Sequence, residues 1–176
     1  NRDTTHGIEI KPVQLIEPKR AKELTLNGWD FGGQPVYRPT HQLFFSAPAV
    51  YIVVWKPREG PEQGFVDYWI KLIRYRTGRD AKILIVATHG GPKQRQAHLD
   101  EDAIRSQYGD MILGFHHVES KHGYGLTELK RAIAEAAAAL PHVGRNYPVK
   151  WKKVRQALSL REDAYLEYSE FQTVCR

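Results

Sequence analysis

Trp29-Asp30-Phe31-Gly32-Gly33-Gln34 is the stretch on which the reading of this chain turns. It completes a run with strand character, Leu24 to Trp29, and two adjacent glycines break that strand sharply. An aspartate at a strand end is placed to bind Mg²⁺, often through water. A glycine three residues on lets its backbone N–H approach a γ-phosphate, and a glutamine beside it can orient an attacking water. The same residues also make an ordinary Gly-Gly turn between a strand and a helix, so spacing alone leaves both readings open.

Upstream, Gly7 to Ile16 alternates apolar and polar residues apart from Pro12 and the final pair. It reads as a half-exposed or edge strand, because proline has no N–H to give to a ladder. A turn at Glu17-Pro18-Lys19-Arg20 then predicts an antiparallel hairpin with the second strand. Downstream, Tyr37 to Ser46 predicts a short, irregular helix with Phe44 and Phe45 turned inward. Ala49 to Trp55 and Lys82 to Ala87 are continuous apolar runs, expected as buried strands, the first on both faces. Between them Phe65, Trp69, Leu72 and Ile73 recur at helical spacing, with Pro61 in the first turn. Asp100 to Tyr108 predicts a short helix and Ile112 to Val118 a last strand. Leu126 to Leu140 predicts an alanine-rich helix, capped at Thr127 or a preceding residue and stopped at Pro141.

Strands alternating with helices predict an α/β fold with a mostly parallel sheet covered on both faces. Ligands of such sheets bind at the carboxyl ends of the strands. The residues to weigh are therefore Thr4-Thr5-His6-Gly7, the Asp30 stretch, Thr88-His89-Gly90-Gly91-Pro92 and Glu119-Ser120-Lys121. Taken singly, each also reads as a loop.

Composition narrows the function classes. The 176 residues suffice for one α/β domain and a short extension, with 41% apolar and 26% charged residues, ordinary for a globular protein. No apolar run approaches the roughly 20 residues of a membrane span. The polar start is no signal peptide, and the single Cys175 excludes an internal disulfide and fits a reducing compartment. The net charge of +6 is scattered, with a modest cluster at Lys150-Trp151-Lys152-Lys153 and Arg155. That pattern favours a solvated helix face over a nucleic-acid contact. Trp29, Trp55, Trp69 and Trp151 are expected in the core. Of His116 and His117, one is expected toward the core and one toward solvent. Beyond a Pro-rich linker, Pro141 to Pro148, Val149 to Leu160 reads as an amphipathic helix, and Ser169 can open another.

Taken together, the clusters resemble the Ras superfamily from Thr5 to about Leu140. Asp30-Phe31-Gly32-Gly33-Gln34 is similar to its switch II motif, and Thr5-His6-Gly7-Ile8-Glu9-Ile10 to switch I and the strand after it. Thr5-His6-Gly7, Trp29 to Gln34, His41-Gln42-Leu43-Phe44-Phe45 and Thr88-His89 most resemble the Roc domain of Roco proteins. The resemblance implies a Ras-like P-loop GTPase fold and a cytoplasmic, signalling GTP/GDP switch with Mg²⁺. It implies Roc residues at 1–142 and, at 143–176, a linker and the start of a COR domain, the partner through which Roco proteins dimerise. By resemblance Thr5 meets Mg²⁺ and the γ-phosphate, Asp30 holds Mg²⁺ in the second shell, and the Gly33 N–H senses the γ-phosphate. Gln34 is the catalytic residue that positions water. Thr88 and His89 flank the guanine, and Ser120 and Lys121 close over it.

Two departures qualify that expectation. No Gly-x-x-x-x-Gly-Lys-Ser/Thr occurs in the 176 residues. The expected account is that the first strand, the phosphate loop and the first helix precede Asn1; the alternative is a non-catalytic Ras-like interaction or dimerisation module. Without a central strand, raw sheet edges invite self-association by strand exchange. The second departure is Gly91, standing where an aspartate would accept hydrogen bonds from guanine.

Overall fold

The computed structural model describes residues 7–57, 65–89, 99–141, 143, 148–161 and 165–175. The chain divides into two compact units, Asn1–Val143 and Gly144–Arg176. The first unit opens with β1 (Ile8–Glu17) and β2 (Lys22–Phe31), paired antiparallel from Ile8↔Phe31 to Glu17↔Lys22. This is the predicted hairpin; its first strand has the expected length, and its second is longer than the run Leu24 to Trp29 because the ladder extends into the polar ends. A 3₁₀ turn (Pro35–Tyr37), the short α1 (Arg38–His41) and a second 3₁₀ turn (Gln42–Phe44) follow. Then come β3 (Val50–Trp55), α2 (Val66–Thr77), β4 (Lys82–Thr88), α3 (Glu101–Tyr108), β5 (Ile112–Val118) and α4 (Leu126–Ala138).

Among the described residues the strands form two sheets, β1-β2 and the parallel β3-β4-β5. β4 is central, and its Ile83, Leu84, Ile85, Val86 and Ala87 are all buried, as a strand covered on both faces requires. The main core joins Val53, Trp55, Ile83 and Ile85 to Val66, Ile70 and Ile73 of α2 and to Tyr108, Met111 and Ile112. The Tyr108 hydroxyl donates to the Asp67 carboxylate at 2.6 Å, tying α3 to α2. A second cluster packs Ala134 of α4 on Leu15 and Leu24 of the hairpin. α4 also packs against β3 and β5, so one helix serves both sheets. Its alanines permit that close approach.

Several expectations are corrected. β3 is buried on one face only: Val53 and Trp55 are inside, but Ile52 and Val54 are 43% and 55% exposed. β3 is an edge strand, and alternate residues of an edge need not be covered. Phe44 points outward at 46% exposure, whereas Phe45 is half-buried. Trp29 and Trp151 lie on the surface, at 45% and 65% exposure. His116 and His117 are both half-buried, so neither faces solvent freely. The N-cap of α4 is Gly125, one of the residues preceding Thr127, in the left-handed conformation and without a side-chain hydrogen bond. Pro61 lies outside the described residues.

Ile70 is fully enclosed between α2 and the sheet. Ile70→Ala is expected to cost about 2–5 kcal/mol, seen as a lower urea midpoint.

In the second unit α5 (Val149–Ser159) packs on α6 (Tyr168–Cys175), with Arg161 donating to Glu170 at 3.5 Å. Val149, Trp151, Tyr165 and Tyr168 remain exposed there. No helix among the described residues is long and apolar enough to cross a membrane.

Candidate functional site

Two groups of predicted residues form at strand ends, one on each sheet. The first is built by the hairpin. Its register puts Asp30 opposite Glu9 and Phe31 opposite Ile8, and beyond the ladder the Gly32 N–H donates to the Gly7 carbonyl at 2.8 Å. The residues that precede β1 are thereby tied to those that follow β2. Gly32 is buried, while Gly33 and Gln34 are exposed. Gln34 precedes the 3₁₀ turn, accepts at its backbone oxygen from the Tyr37 N–H (3.1 Å) and makes no side-chain cap. Its amide side chain is therefore not consumed in holding the turn. Thr5 lies outside the described residues.

Directly opposed residues share a face of the sheet, so the Asp30 and Glu9 carboxylates are close neighbours that repel. Lys11, two residues from Glu9 on that face, relieves the repulsion with an ion pair to Glu9 at 2.8 Å. The Glu9 hydrogen bond and charge, with a smaller contribution from Asp30, raise the Lys11 ammonium above its ordinary value. Glu9 and Lys11 escape a reading by motifs. Alternation along the first strand, combined with a hairpin register, is the signal that finds them.

The second group sits where β4 and β5 end side by side, with Thr88 paired to Val118. The Thr88 hydroxyl donates to the Trp55 carbonyl at 3.1 Å, pinning the end of β4 to the end of β3. With that proton committed, His89 Nδ1, 3.0 Å from Thr88 Oγ1, is the donor. His89 is exposed and has a left-handed backbone, φ +62°. Across from it, Glu119 organises the next loop. Its carboxylate accepts from the Lys121 N–H (2.8 Å), the His122 N–H (3.1 Å) and His122 Nδ1 (2.6 Å). Burial acts to raise the Glu119 carboxyl, but the His122 side chain and the two N–H groups outweigh it and hold the carboxyl below its ordinary value. The Glu119 N–H donates to the Tyr124 carbonyl at 3.0 Å, which closes the loop and leaves Ser120 and Lys121 exposed on it.

Thr88, His89, Ser120 and Lys121 are thus brought together on adjacent strand ends. Asp30, Gly33 and Gln34 form the separate group on the hairpin, and Gly91 lies outside the described residues. The Asp30 and Glu9 pair offers the hard oxygen donors that Mg²⁺ prefers. Among the described residues no group of three or more His, Cys, Asp or Glu side chains is placed to hold a metal by itself.

Residues 1–90 match the family model described as Roc, Ras of Complex, Roc, domain of DAPkinase. The chain is 31% identical over 134 residues to a probable serine/threonine-protein kinase pats1 of Dictyostelium discoideum, covering 74% of this chain and 4% of that protein. It is 29% identical over 196 residues to a Roc-COR-CHAT protease of an unknown prokaryotic organism, covering 99% of this chain and 18% of that protein. The solved structure of Methanosarcina barkeri Roco2 RocCORdC bound to GDP superposes with a TM-score of 0.76 at 26% identity, over 97% of this chain and 50% of that one. The chain therefore spans half or less of each of these relatives. The Roc match extends over just more than half of the 176 residues, and its fold is that of the Roco GTPases: this chain belongs to the Roc family.

Proposed function

We propose that this chain supplies the switch and base-side loops of a guanine-nucleotide switch that binds and hydrolyses GTP in the cytoplasm. One observation carries the reading: Thr88, His89, Ser120 and Lys121 lie together at the carboxyl edge of a parallel sheet, where ligands of such folds bind. The GDP in the Roco2 relative is of the chemistry that such an edge accommodates.

In this reading His89 and Thr88 border the guanine, and the Glu119-braced loop lays Ser120 and Lys121 over it. The Gly33 N–H senses the γ-phosphate, and Gln34 orients the attacking water. Thr5 and Asp30 are the residues that would serve Mg²⁺, which when bound neutralises phosphate charge. Residues 1–142 act as Roc and 143–176 as a linker and the start of COR.

The split between the sheets supports a strand and phosphate loop supplied from ahead of Asn1. β2 and β3 each present an edge unpaired among the described residues, and Ile52 and Val54 lie uncovered beside one of them. The test is direct. The 176-residue chain is expected to show no measurable GTP turnover. A longer protein with Gly-x-x-x-x-Gly-Lys-Ser/Thr encoded within about 30 residues of Asn1 is expected to show it. Turnover absent from both would leave the second reading, a non-catalytic interaction or dimerisation module. Gly91 favours that reading, since a glycine offers guanine no side-chain acceptor.

The open edges have their own consequence. The 176-residue chain alone is expected to self-associate by strand exchange, because exposed apolar edges recruit other strands. Sedimentation equilibrium checks this, and a cooperatively melting monomer would contradict it.

Gly33→Ala separates phosphate sensing from folding. A β-carbon at Gly33 meets nothing within 4 Å, so stability is expected to hold. In the loop-bearing protein the added methyl is expected to lower the affinity for GTP relative to GDP by about tenfold, read by competitive nucleotide binding.

A further inference from the structure

We propose that His41, as a neutral imidazole, is the positioning residue through which α2 holds the segment carrying Gly33 and Gln34. His41 is only 2% exposed. Its ring meets Phe31 edge-on with centroids 5.0 Å apart and stacks on Trp69 at 6.0 Å and 27°. Phe31 ends β2 and Trp69 belongs to α2, so the imidazole joins a strand end to a helix. Phe45 repeats the bridge, 5.9 Å from Phe31 and 6.4 Å from Trp69. Beside it Arg76 of α2 donates to the Gln42 amide oxygen at 2.8 Å, and the Arg38 guanidinium lies 4.2 Å from the Phe65 ring centre, just ahead of α2.

The path from His41 back to Gln34 is short and stiff. Residues 35–41 are a 3₁₀ turn running straight into α1. The Tyr37 N–H donates to the Gln34 carbonyl at 3.1 Å, and the Thr40 hydroxyl donates to the Tyr37 carbonyl at 2.7 Å. A shift of His41 is therefore transmitted to Gln34.

The imidazole must be neutral because its Nε2 is buried with no hydrogen-bond partner among the described residues. A protonated ring would place an unpaired donor and a full charge in that aromatic cage. The charge that acts on it is Arg38, on its own helix; Arg76 of α2 is engaged by the adjacent Gln42, and Asp30, next to Phe31 on β2, falls on the opposite face of that strand. The Trp69 face attracts a cation, yet burial, with Arg38 adding repulsion, leaves His41 below its ordinary value. A histidine depressed in the folded state stabilises the latch at high pH. That contribution declines as pH falls from the unfolded value of about 6.5 through the lower folded value.

Only the consequence for hydrolysis rests on the reading of Gln34; the latch itself does not. The test uses the 176-residue chain without nucleotide. Histidine C2 deuterium exchange, followed by mass spectrometry across pH, reads the protonation of each imidazole. Amide exchange, corrected for its intrinsic pH dependence, reads segment 31–45. His41 is expected to bind its proton more weakly than a free imidazole, whose ordinary value is about 6.5. Protection of segment 31–45 is expected to fall with His41 protonation in the wild type and to stay constant in His41→Phe. In His41→Ala it is expected to be low at every pH. Titration of His41 at or above the ordinary imidazole value of about 6.5, or a His41→Phe segment that is as loose as His41→Ala or keeps the wild-type pH dependence, would overturn the proposal. Should His41→Ala fail to fold, the comparison of His41→Phe with wild type still decides. Loss of the GTPase reading would leave all these readouts unchanged.

Discussion

Gln34→Leu, made in a protein that joins this chain to a phosphate loop, is expected to cut GTP hydrolysis about 10²-fold or more while leaving nucleotide affinity unchanged. The size comes from geometry, since a water misplaced by about 1 Å already costs on that order. The selectivity comes from the turn. The Gln34 side chain makes no cap, and only its backbone oxygen serves the 3₁₀ turn, so leucine leaves that hydrogen bond intact. An exposed position outside the core also limits the stability change to about 0.5 kcal/mol. Single-turnover hydrolysis measured beside equilibrium nucleotide binding separates the two effects. Turnover equal to wild type would remove Gln34 from the chemistry, whereas a joint loss of binding and turnover would point to a damaged fold.

Gly125→Ala is expected to be the most damaging glycine substitution in the described residues. Gly125 has φ +69°, a conformation that costs an L-residue about 1–2 kcal/mol. A β-carbon there would also collide with the His117 carbonyl oxygen, and would lie 3.2 Å from the His117 carbonyl carbon and 3.4 Å from Val118 Cγ1. The obstacle is backbone, and it belongs to β5, which is hydrogen-bonded to β4. Relief therefore requires β5 or α4 to move, and α4 packs on both sheets. The combined cost is expected at about 3–5 kcal/mol. Gly123 is the control: its φ is +79° but no atom lies within 4 Å of an added β-carbon. Gly123→Ala is thus expected to show only the conformational cost. Urea midpoints for the two variants at one protein concentration check the difference, and equal midpoints would show that the junction yields.

Local chemistry makes much of the candidate site legible from the chain alone. Asp30, Gly33 and Gln34 become candidates because a strand end with two glycines after it can be recognised within a few residues, and the family resemblance then favours the functional reading over a plain turn. Thr88, His89, Ser120 and Lys121 stand just beyond apolar runs, where a parallel sheet presents its carboxyl edge. Glu119 shows the limit of such local reading. In sequence it is only part of a strand-end loop, and its role as a three-fold acceptor depends on how residues 119–124 close on themselves. Glu9 and Lys11 join Asp30 only through the register of the hairpin. His41 is a family mark in the sequence, but nothing in its neighbours there indicates a ring held between Phe31 and Trp69.

The sequence by itself determined the order of strands and helices, the hairpin and the Roc family. Each rests on short-range patterns: alternation, helical spacing, glycine and proline breaks, and motifs of a few residues. Only the tertiary structure decided that the described strands form two sheets, with one edge of β2 and one edge of β3 left without a partner strand, and that β3 leaves Ile52 and Val54 uncovered. It alone placed Trp29 outside and His41 inside. The physical reason is common to all of these. The chain's local pattern sets which side chains share a face. Whether that face is covered depends on residues distant in sequence.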